Sequence, residues 1–276
     1  MSNPLTMKLE QFTRLDTAER NRLDQLLNFP TETYAPRKVI IERGDKVQNI
    51  HLVLSGLAMR RKELRDGSRQ VMAFLIPGDL CDVEVFVLQA MDHDIVAVAE
   101  TTCVLIPADT MVELLTESSN LTWAMWWGTM VDSAILREWI VDHGARDARE
   151  RLAHLFYEML VRYRVVGATT DNSYPFPVTQ ELLADGLGLT SVHVNRVLQE
   201  LRAEDLIEFE NKVVTIPDPA RLKKAAKFEA DYLHLVRTEA RDGKVAERAA
   251  DLVPMQRQAV VQRAVRRVKD RFSSQD

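Results

Sequence analysis

The chain has 276 residues, 46% of them apolar and 28% charged, with a net charge of −5, enough to bury two ordinary cores and too mixed for a repeat array or a low-complexity protein. The opening MSNPLTMKLEQF lacks a basic-then-apolar signal, and no run approaches the roughly 18 apolar residues of a membrane span, so a cytoplasmic protein with no membrane partner is expected. Cys81 and Cys103 form no CxxC pair and are too few to ligate an iron–sulfur cluster within one chain, which leaves them as buried thiols.

A helix-like stretch, Phe12 to Leu27, opens the chain. From Tyr34 to Pro107 short β-prone runs follow one another: Lys38 to Glu42, Ile50 to Leu54, Leu57 to Glu63, Gln70 to Leu75, Asp94 to Ala99 and Cys103 to Ile106. Turns at Gly44-Asp45, Ser55-Gly56, Asp66-Gly67 and Pro77-Gly78-Asp79 separate them, the spacing of a sandwich or barrel rather than of a parallel sheet. Ala108 to Val141 contains no proline and reads as a short helix, Ala108 to Leu115, and a long one from about Leu121 that holds all four tryptophans, Trp123, Trp126, Trp127 and Trp139. Trp123, Trp127, Met130, Ala134 and Val141 form one stripe of it, with Trp126 and Ile140 on neighbouring faces, so that one side can pack on the strands and another on a second chain. The pattern lapses near Gly144, a hinge position, before a helix from Asp147 to Arg164 that buries Leu152, Leu155, Phe156, Met159 and Leu160. Asp171 to Pro177 reads as a loop. His143 and His154 have no second metal ligand at useful spacing and are expected to be solvated or packed.

Val178 to Arg202, VTQELLADGLGLTSVHVNRVLQELR, reads as two helices crossing at a tight turn. Leu183, Leu187, Leu189, Val194 and Val197 supply a shared core, Ala184 permits close approach, and Gly188 takes the turn. Thr179 and Thr190 are placed to cap the two helices, with Val178 and Leu183 as a hydrophobic staple. Val194, Val197, Leu198 and Leu201 face inward on the second helix, which turns Ser191, Val192, Asn195 and Arg196 outward near its amino-terminal end. Arg can fork onto guanine, Asn can pair with adenine, and Ser can meet phosphate or a base edge, so this set is suited to the major groove. Thr179, Gln180, Thr190 and His193 complete the candidate DNA-binding set. A hairpin follows, Leu206 to Glu210 and Val213 to Ile216 around Asn211 and Lys212, giving a winged helix-turn-helix.

The strand segment RGDKVQNIHLVLSGLAMRRKELRDGSRQVMAFLIPGDL looks like the β-roll of cyclic-nucleotide-binding domains, and with the downstream helix-turn-helix the order of parts resembles the Crp/Fnr family of bacterial transcription regulators over about residues 10 to 216. The resemblance implies a small-molecule sensor roll, a homodimer joined through the long helix, a palindromic double-stranded DNA site, and RNA polymerase as a partner. In the cyclic-AMP-binding branch a Gly-Glu pair holds the ribose and an Arg-Ser pair the cyclic phosphate. Aligned on Gly78-Asp79 and on the strand ending at Ala99, those places hold Asp82-Val83 and His93-Asp94 here. With Glu84 one residue late for the ribose, the effector pocket would comprise Asp82, Val83, Glu84, His93 and Asp94, and Asp94 would repel a phosphate unless Arg60 or Arg69 reached in. Cyclic AMP is therefore not the expected effector. Val192 stands where the family often has a Glu, Asn195 where it often has a small residue, and Arg196 matches the family's Arg, so an altered operator is expected.

The fold class read from the sequence is α+β: a jelly-roll-like β-roll sensor (1–118), a dimerisation helix and hinge (119–145), a winged helix-turn-helix (146–216) and a helical, basic carboxy-terminal extension (217–276). Charge is uneven over these parts, net −7 over residues 1–145, −3 over 146–216 and +5 over 217–276, so DNA binding must use locally placed cations. Beyond Ile216, PDPARLKKAAKFEADYLHL reads as a packed helix. Pro254 to Phe272 carries a stripe of Val261, Ala264, Val265, Val268 and Phe272 surrounded by Arg257, Arg263, Arg266, Arg267, Lys269 and Arg271, which either hold phosphate or form a solvated face. No Ser/His/Asp set, metal motif or phosphate-cradling Gly loop is visible; no cofactor is expected, and the remaining Asp and Glu read as solvated surface. The function that follows is a homodimeric, sequence-specific DNA-binding regulator, not an enzyme. The competing reading is a dimer that binds a protein or ligand without specific DNA readout.

Overall fold

The structure, a computed structural model, describes residues 3–83 and 90–235. Glu84 and the basic segment Pro254 to Phe272 lie outside the described residues.

The chain begins with α1 (Pro4–Leu9), capped by Asn3, whose side chain accepts from Leu5 N and Thr6 N. The single helix expected over Phe12 to Leu27 is instead α2 (Thr17–Gln25) and a 3-10 turn, Leu26–Asn28. A reciprocal capping box between Asp16 and Glu19 starts α2 and leaves Phe12 in the preceding turn, stacked on Trp127 at 6.0 Å between ring centroids.

Among the described residues seven antiparallel strands make the β-roll: β1 (Thr31–Tyr34), β2 (Val39–Ile41), β3 (Asn49–Ser55), β4 (Ala58–Glu63), β5 (Arg69–Leu75), β6 (Asp94–Ala97) and β7 (Thr101–Pro107). They form two sheets, ordered β1-β7-β3 and β2-β6-β4-β5, with Ile50, Leu52, Val71, Phe74, Ile95 and Val104 in the core. The six expected runs are present with ends moved by up to two residues. β1 has no apolar alternation, because three of its four residues are exposed; register with β7 rather than burial holds it. Gly78 closes the turn after β5 at φ 91°, where a Cβ would sit 2.7 Å from the Pro4 carbonyl oxygen. Only glycine lets the amino-terminal helix lie so close.

From the roll, α3 (Ala108–Glu117) leads into α4 (Ser119–Ala145). Leu121, Ala124, Val131, Ala134, Ile135 and Trp139 of α4 are buried, while Trp123, Trp126, Met130, Ile140 and Val141 are exposed. The stripe drawn from the sequence thus mixes two faces: Ala134 and the half-buried Trp127 pack inward, and Trp126 and Ile140 lie outward with Trp123 and Met130. Gly144 does not break α4. The helix ends at Arg146, in extended conformation, because an Asp147–Glu150 capping box starts α5 (Ala148–Val165) there.

The winged helix-turn-helix consists of β8 (Ser173–Pro175), α6 (Gln180–Leu187), α7 (Ser191–Ala203), β9 (Glu208–Glu210) and β10 (Val213–Thr215), with sheet order β8-β10-β9. The segment read as a loop before α6 therefore supplies the third wing strand. Its Tyr174 is buried and donates to the Phe156 carbonyl oxygen at 2.8 Å. Asn211 and Lys212 both take positive φ, 49° and 64°, as a two-residue hairpin turn requires. The helix expected over Pro217 to Leu235 is two short pieces, α8 (Pro219–Ala225) and a 3-10 turn, Asp231–Leu233, parted at Lys227 by a positive φ of 46°.

Candidate nucleic-acid interface and its sensor

Local sequence positions the reading helix α7. Gly188 ends α6 at φ 64°, Thr190 Oγ1 accepts from His193 N at 3.2 Å to cap α7, and Thr179 Oγ1 accepts from Leu182 N at 3.2 Å to cap α6. Val194, Val197, Leu198 and Leu201 are buried against α5 and α6. Ser191, Val192, Asn195 and Arg196 are exposed, Val192 at 82%. Two hydrogen bonds order this outward face. Asn195 Nδ2 donates to Gln180 Oε1 on α6 at 3.1 Å, and Arg196 Nη2 meets His193 Nε2 at 2.9 Å. Of the eight residues named for DNA contact, Thr179, Gln180, Ser191, Val192, Asn195 and Arg196 are exposed and His193 is half-buried. Thr190, the eighth, is exposed at the mouth of the turn.

The reading head is held to the roll by contacts that the sequence reading did not find. Arg69 at the start of β5 pairs with Glu181 at 2.5 Å and Asp185 at 3.4 Å on α6. These carboxylates raise the Arg69 pKa, the Glu181 hydrogen bond most, and burial raises that of Asp185. Arg151 donates to the carbonyls of Leu187, His143 and Arg146, which ties the end of α6 to the junction of α4 and α5. Beneath lies an ionic cluster. Asp79 of the Pro-Gly-Asp turn, 3% exposed, accepts from Lys8 Nζ at 2.7 Å, Arg162 Nη2 at 2.9 Å and Ile76 N at 2.8 Å. Arg162 also pairs with Glu158, fully buried at 3.3 Å, which accepts from Tyr232 Oη at 2.9 Å and Trp139 Nε1 at 3.4 Å. Burial opposes the charge on Asp79, but Lys8 and Arg162 outweigh it and hold the carboxyl below its ordinary range. Asp79, Asp142 and Glu158 are buried, which corrects their reading as solvated surface. Spacing offered one signal for this cluster, the Glu158–Arg162 pair at i,i+4. His154, completely buried, packs on Phe228 and Tyr232 beside Asp142, as a packed histidine.

Two family models match in the order of the parts just described: a cyclic nucleotide-binding domain over residues 31–118 and a Crp-like helix-turn-helix domain over residues 150–225. The chain belongs to the Crp/Fnr family of transcription regulators. It is 27% identical over 222 residues to the transcriptional activator protein FnrL of Cereibacter sphaeroides, covering 79% of this chain and 88% of that one. To the nitrogen fixation regulation protein FixK of Azorhizobium caulinodans it is 24% identical over 192 residues, 69% and 77% of the two chains. Its fold is similar to that of FixK2 from Bradyrhizobium japonicum, with a TM-score of 0.65 at 21% identity over 73% of this chain and 98% of that one.

Of the residues named for an effector pocket, Asp82, His93 and Asp94 are engaged with the chain's own polar groups. Asp82 is completely buried; it accepts from His51 N and meets His51 Nδ1, both at 2.8 Å. Val83 is half-buried. His93 Nδ1 lies 2.5 Å from Asp92, whose carboxyl this bond holds below its ordinary value. Asp94 accepts from Arg43 N at 2.9 Å and Arg61 Nη2 at 3.2 Å. Of the two arginines considered as phosphate partners, Arg69 is committed to α6, and the buried Arg60 donates to the Leu80 carbonyl at 3.3 Å and lies 3.7 Å from Asp132. No helix among the described residues is long and apolar enough to cross a membrane.

Proposed function

We propose that this Crp/Fnr regulator works in the cytoplasm as a homodimer, lays two copies of α7 into the major grooves of a palindromic double-stranded site, and from there meets RNA polymerase. The observation that carries the reading is the outward face of α7, where Ser191, Val192, Asn195 and Arg196 stand clear of the core while the opposite stripe is buried. Dimer formation is supported by a second exposed apolar face. Trp123, Trp126 and Met130 follow one another on α4 at the three- and four-residue spacing of a coiled-coil seam, and Ile140, 71% exposed, resumes it ten residues on, after Ser133 and Arg137. Arg196 forks on a guanine, Asn195 pairs with an adenine, and Thr179, Gln180, Thr190, Ser191 and His193 stand at the edges of the contact, where phosphates pass. The sensor is the roll of residues 1–118, 119–145 is the dimer helix and 146–216 the reader, and the roll works with an effector other than cyclic AMP or with none. The buried carboxylates are committed to cations and donors within the fold, which favours binding over catalysis. Selection of binding sites from random duplexes with purified protein tests the proposal. A palindrome with half-site centres about one helical turn apart is expected, and recovery of no such site would overturn it.

A further inference from the structure

The reading face carries two features that a generic phosphate-binding helix does not need. One is Val192, a β-branched apolar side chain 82% exposed, one helical turn before Arg196. The other is the bond from Asn195 on α7 to Gln180 on α6, at 3.1 Å between two exposed carboxamides. An exposed Asn on a helix surface would otherwise sample several rotamers and both faces of its amide.

We propose that Gln180 is a positioning residue that turns the Asn195 carboxamide to read adenine, and that Val192 reads the C5-methyl of a thymine, so that each half-site contains an adenine and a thymine next to the guanine read by Arg196. This rests on the DNA-reading function proposed above and specifies its target. The chemistry follows from valence. A primary amide has two N–H groups and one carbonyl. When the Nδ2–H given to Gln180 Oε1 is the one trans to the carbonyl, Asn195 retains Oδ1 and the cis N–H on one edge, the acceptor-and-donor pair that matches adenine N6–H and N7. No other base offers that pair in the major groove. Val192 has no hydrogen-bonding group, so against a base edge it gains only where an apolar surface meets it, and thymine alone supplies a methyl there. A Glu at that position would instead accept from cytosine N4.

The experiment uses the full chain and the duplex obtained by selection, with single-atom changes in the DNA. Replacing the half-site adenine by 7-deazaadenine removes N7 as an acceptor and should weaken wild-type binding about tenfold, the scale of a lost base contact. Replacing the thymine by deoxyuridine removes one methyl and should weaken it about fourfold, from the transfer free energy of one such group. Asn195→Ala should abolish the first sensitivity alone, and Val192→Ala should reduce the second alone. Gln180→Ala should shrink the 7-deazaadenine penalty at unchanged melting temperature. Gln180→Glu, whose carboxylate still accepts from Nδ2, should restore that penalty even though its charge lowers affinity for all DNA equally. A selected site lacking either base, or penalties that do not depend on Asn195 and Val192, would overturn the inference while leaving sequence-specific DNA binding intact. Equal 7-deazaadenine penalties for Gln180→Ala and wild type would overturn the positioning role. Failure to select any site would overturn both this and the DNA-reading function.

Discussion

Asp79→Asn tests how strongly the amino-terminal helix, the roll and the reading head are joined. The substitution keeps the shape of the side chain and the acceptor for Ile76 N but removes the charge that faces Lys8 at 2.7 Å and Arg162 at 2.9 Å. Removing one partner of a buried ion pair costs about 3–5 kcal/mol, because the other charge stays buried without compensation. Here neither cation is left alone: Arg162 keeps Glu158 at 3.3 Å and Lys8 keeps Asp132 at 3.6 Å. The expected loss is therefore at the low end, about 3 kcal/mol, or a fall in melting temperature of roughly 6–12 °C for a chain of this size. Urea unfolding followed by tryptophan fluorescence reads it, since Trp123, Trp126, Trp127 and Trp139 all lie on α4. The pH dependence has a definite sign. The folded-state pKa of Asp79 is depressed, so its contribution is fully present above the unfolded value of about 3.9 and is lost as pH falls through the lower folded value. Wild type and variant should differ at neutral pH and converge only in strong acid. A loss under about 1 kcal/mol, the scale of a solvent-screened surface pair, would show that the cluster does not hold the parts together.

Three further outcomes are expected. Arg196→Ala should cost about 1–3 kcal/mol of binding to the selected duplex and much less on random DNA, read by fluorescence anisotropy; equal losses on both would make Arg196 a phosphate anchor. Ile140→Asp, at a position exposed in the single chain, should shift sedimentation from dimer to monomer with the monomer fold retained, because a charge placed in an apolar seam must be desolvated; an unchanged dimer would locate the interface elsewhere. Truncation before Pro254 should reduce the salt slope of DNA binding if its arginines displace counterions, whereas an unchanged slope with a lowered melting temperature would make the segment a packing element.

Much of the fold was legible because its signals are local. Thr179, Gly188 and Thr190 state the ends of two helices, and a single inward stripe on α7 leaves few choices for what faces outward. The roll was legible as a rhythm of short runs and Gly turns. What escaped depends on partners distant in sequence. β1 exists through its register with β7, some 70 residues away. The exposed face of α4 could not be separated from the buried one, because both are apolar: Trp123 and Trp139 have the same composition signal, and only the position of the roll and of α5 assigns them to opposite sides. The charged residues were the least legible. Asp79 and Glu158 look like any surface carboxylate until Lys8 and Arg162 arrive from other elements to compensate them.

The same commitments bear on the effector. Within a roll of this family an anionic ligand would need cations free to meet it, since burying an uncompensated phosphate is prohibitive. Here the polar groups near the Pro-Gly-Asp turn are engaged with one another: Asp79 with Lys8 and Arg162, Asp82 with His51, Arg60 with the Leu80 carbonyl and Asp132, and Asp94 with Arg61. A cyclic phosphate that drew a cation from one of these carboxylates would leave that carboxylate, buried or half-buried, without its partner. Exchange of one anion for another returns no net Coulomb energy and adds the desolvation of the released group. Cyclic AMP in millimolar concentration should thus leave the melting temperature unchanged. A ligand of the folded state at a hundred times its dissociation constant would add about 2.7 kcal/mol, so at about 1 mM a complex with a Kd of about 10 μM would register. A saturable rise, abolished by a substitution at Asp82 or Asp94, would mean that the roll rearranges its ion pairs on binding and that their arrangement in the free chain is a resting state rather than a replacement for the ligand.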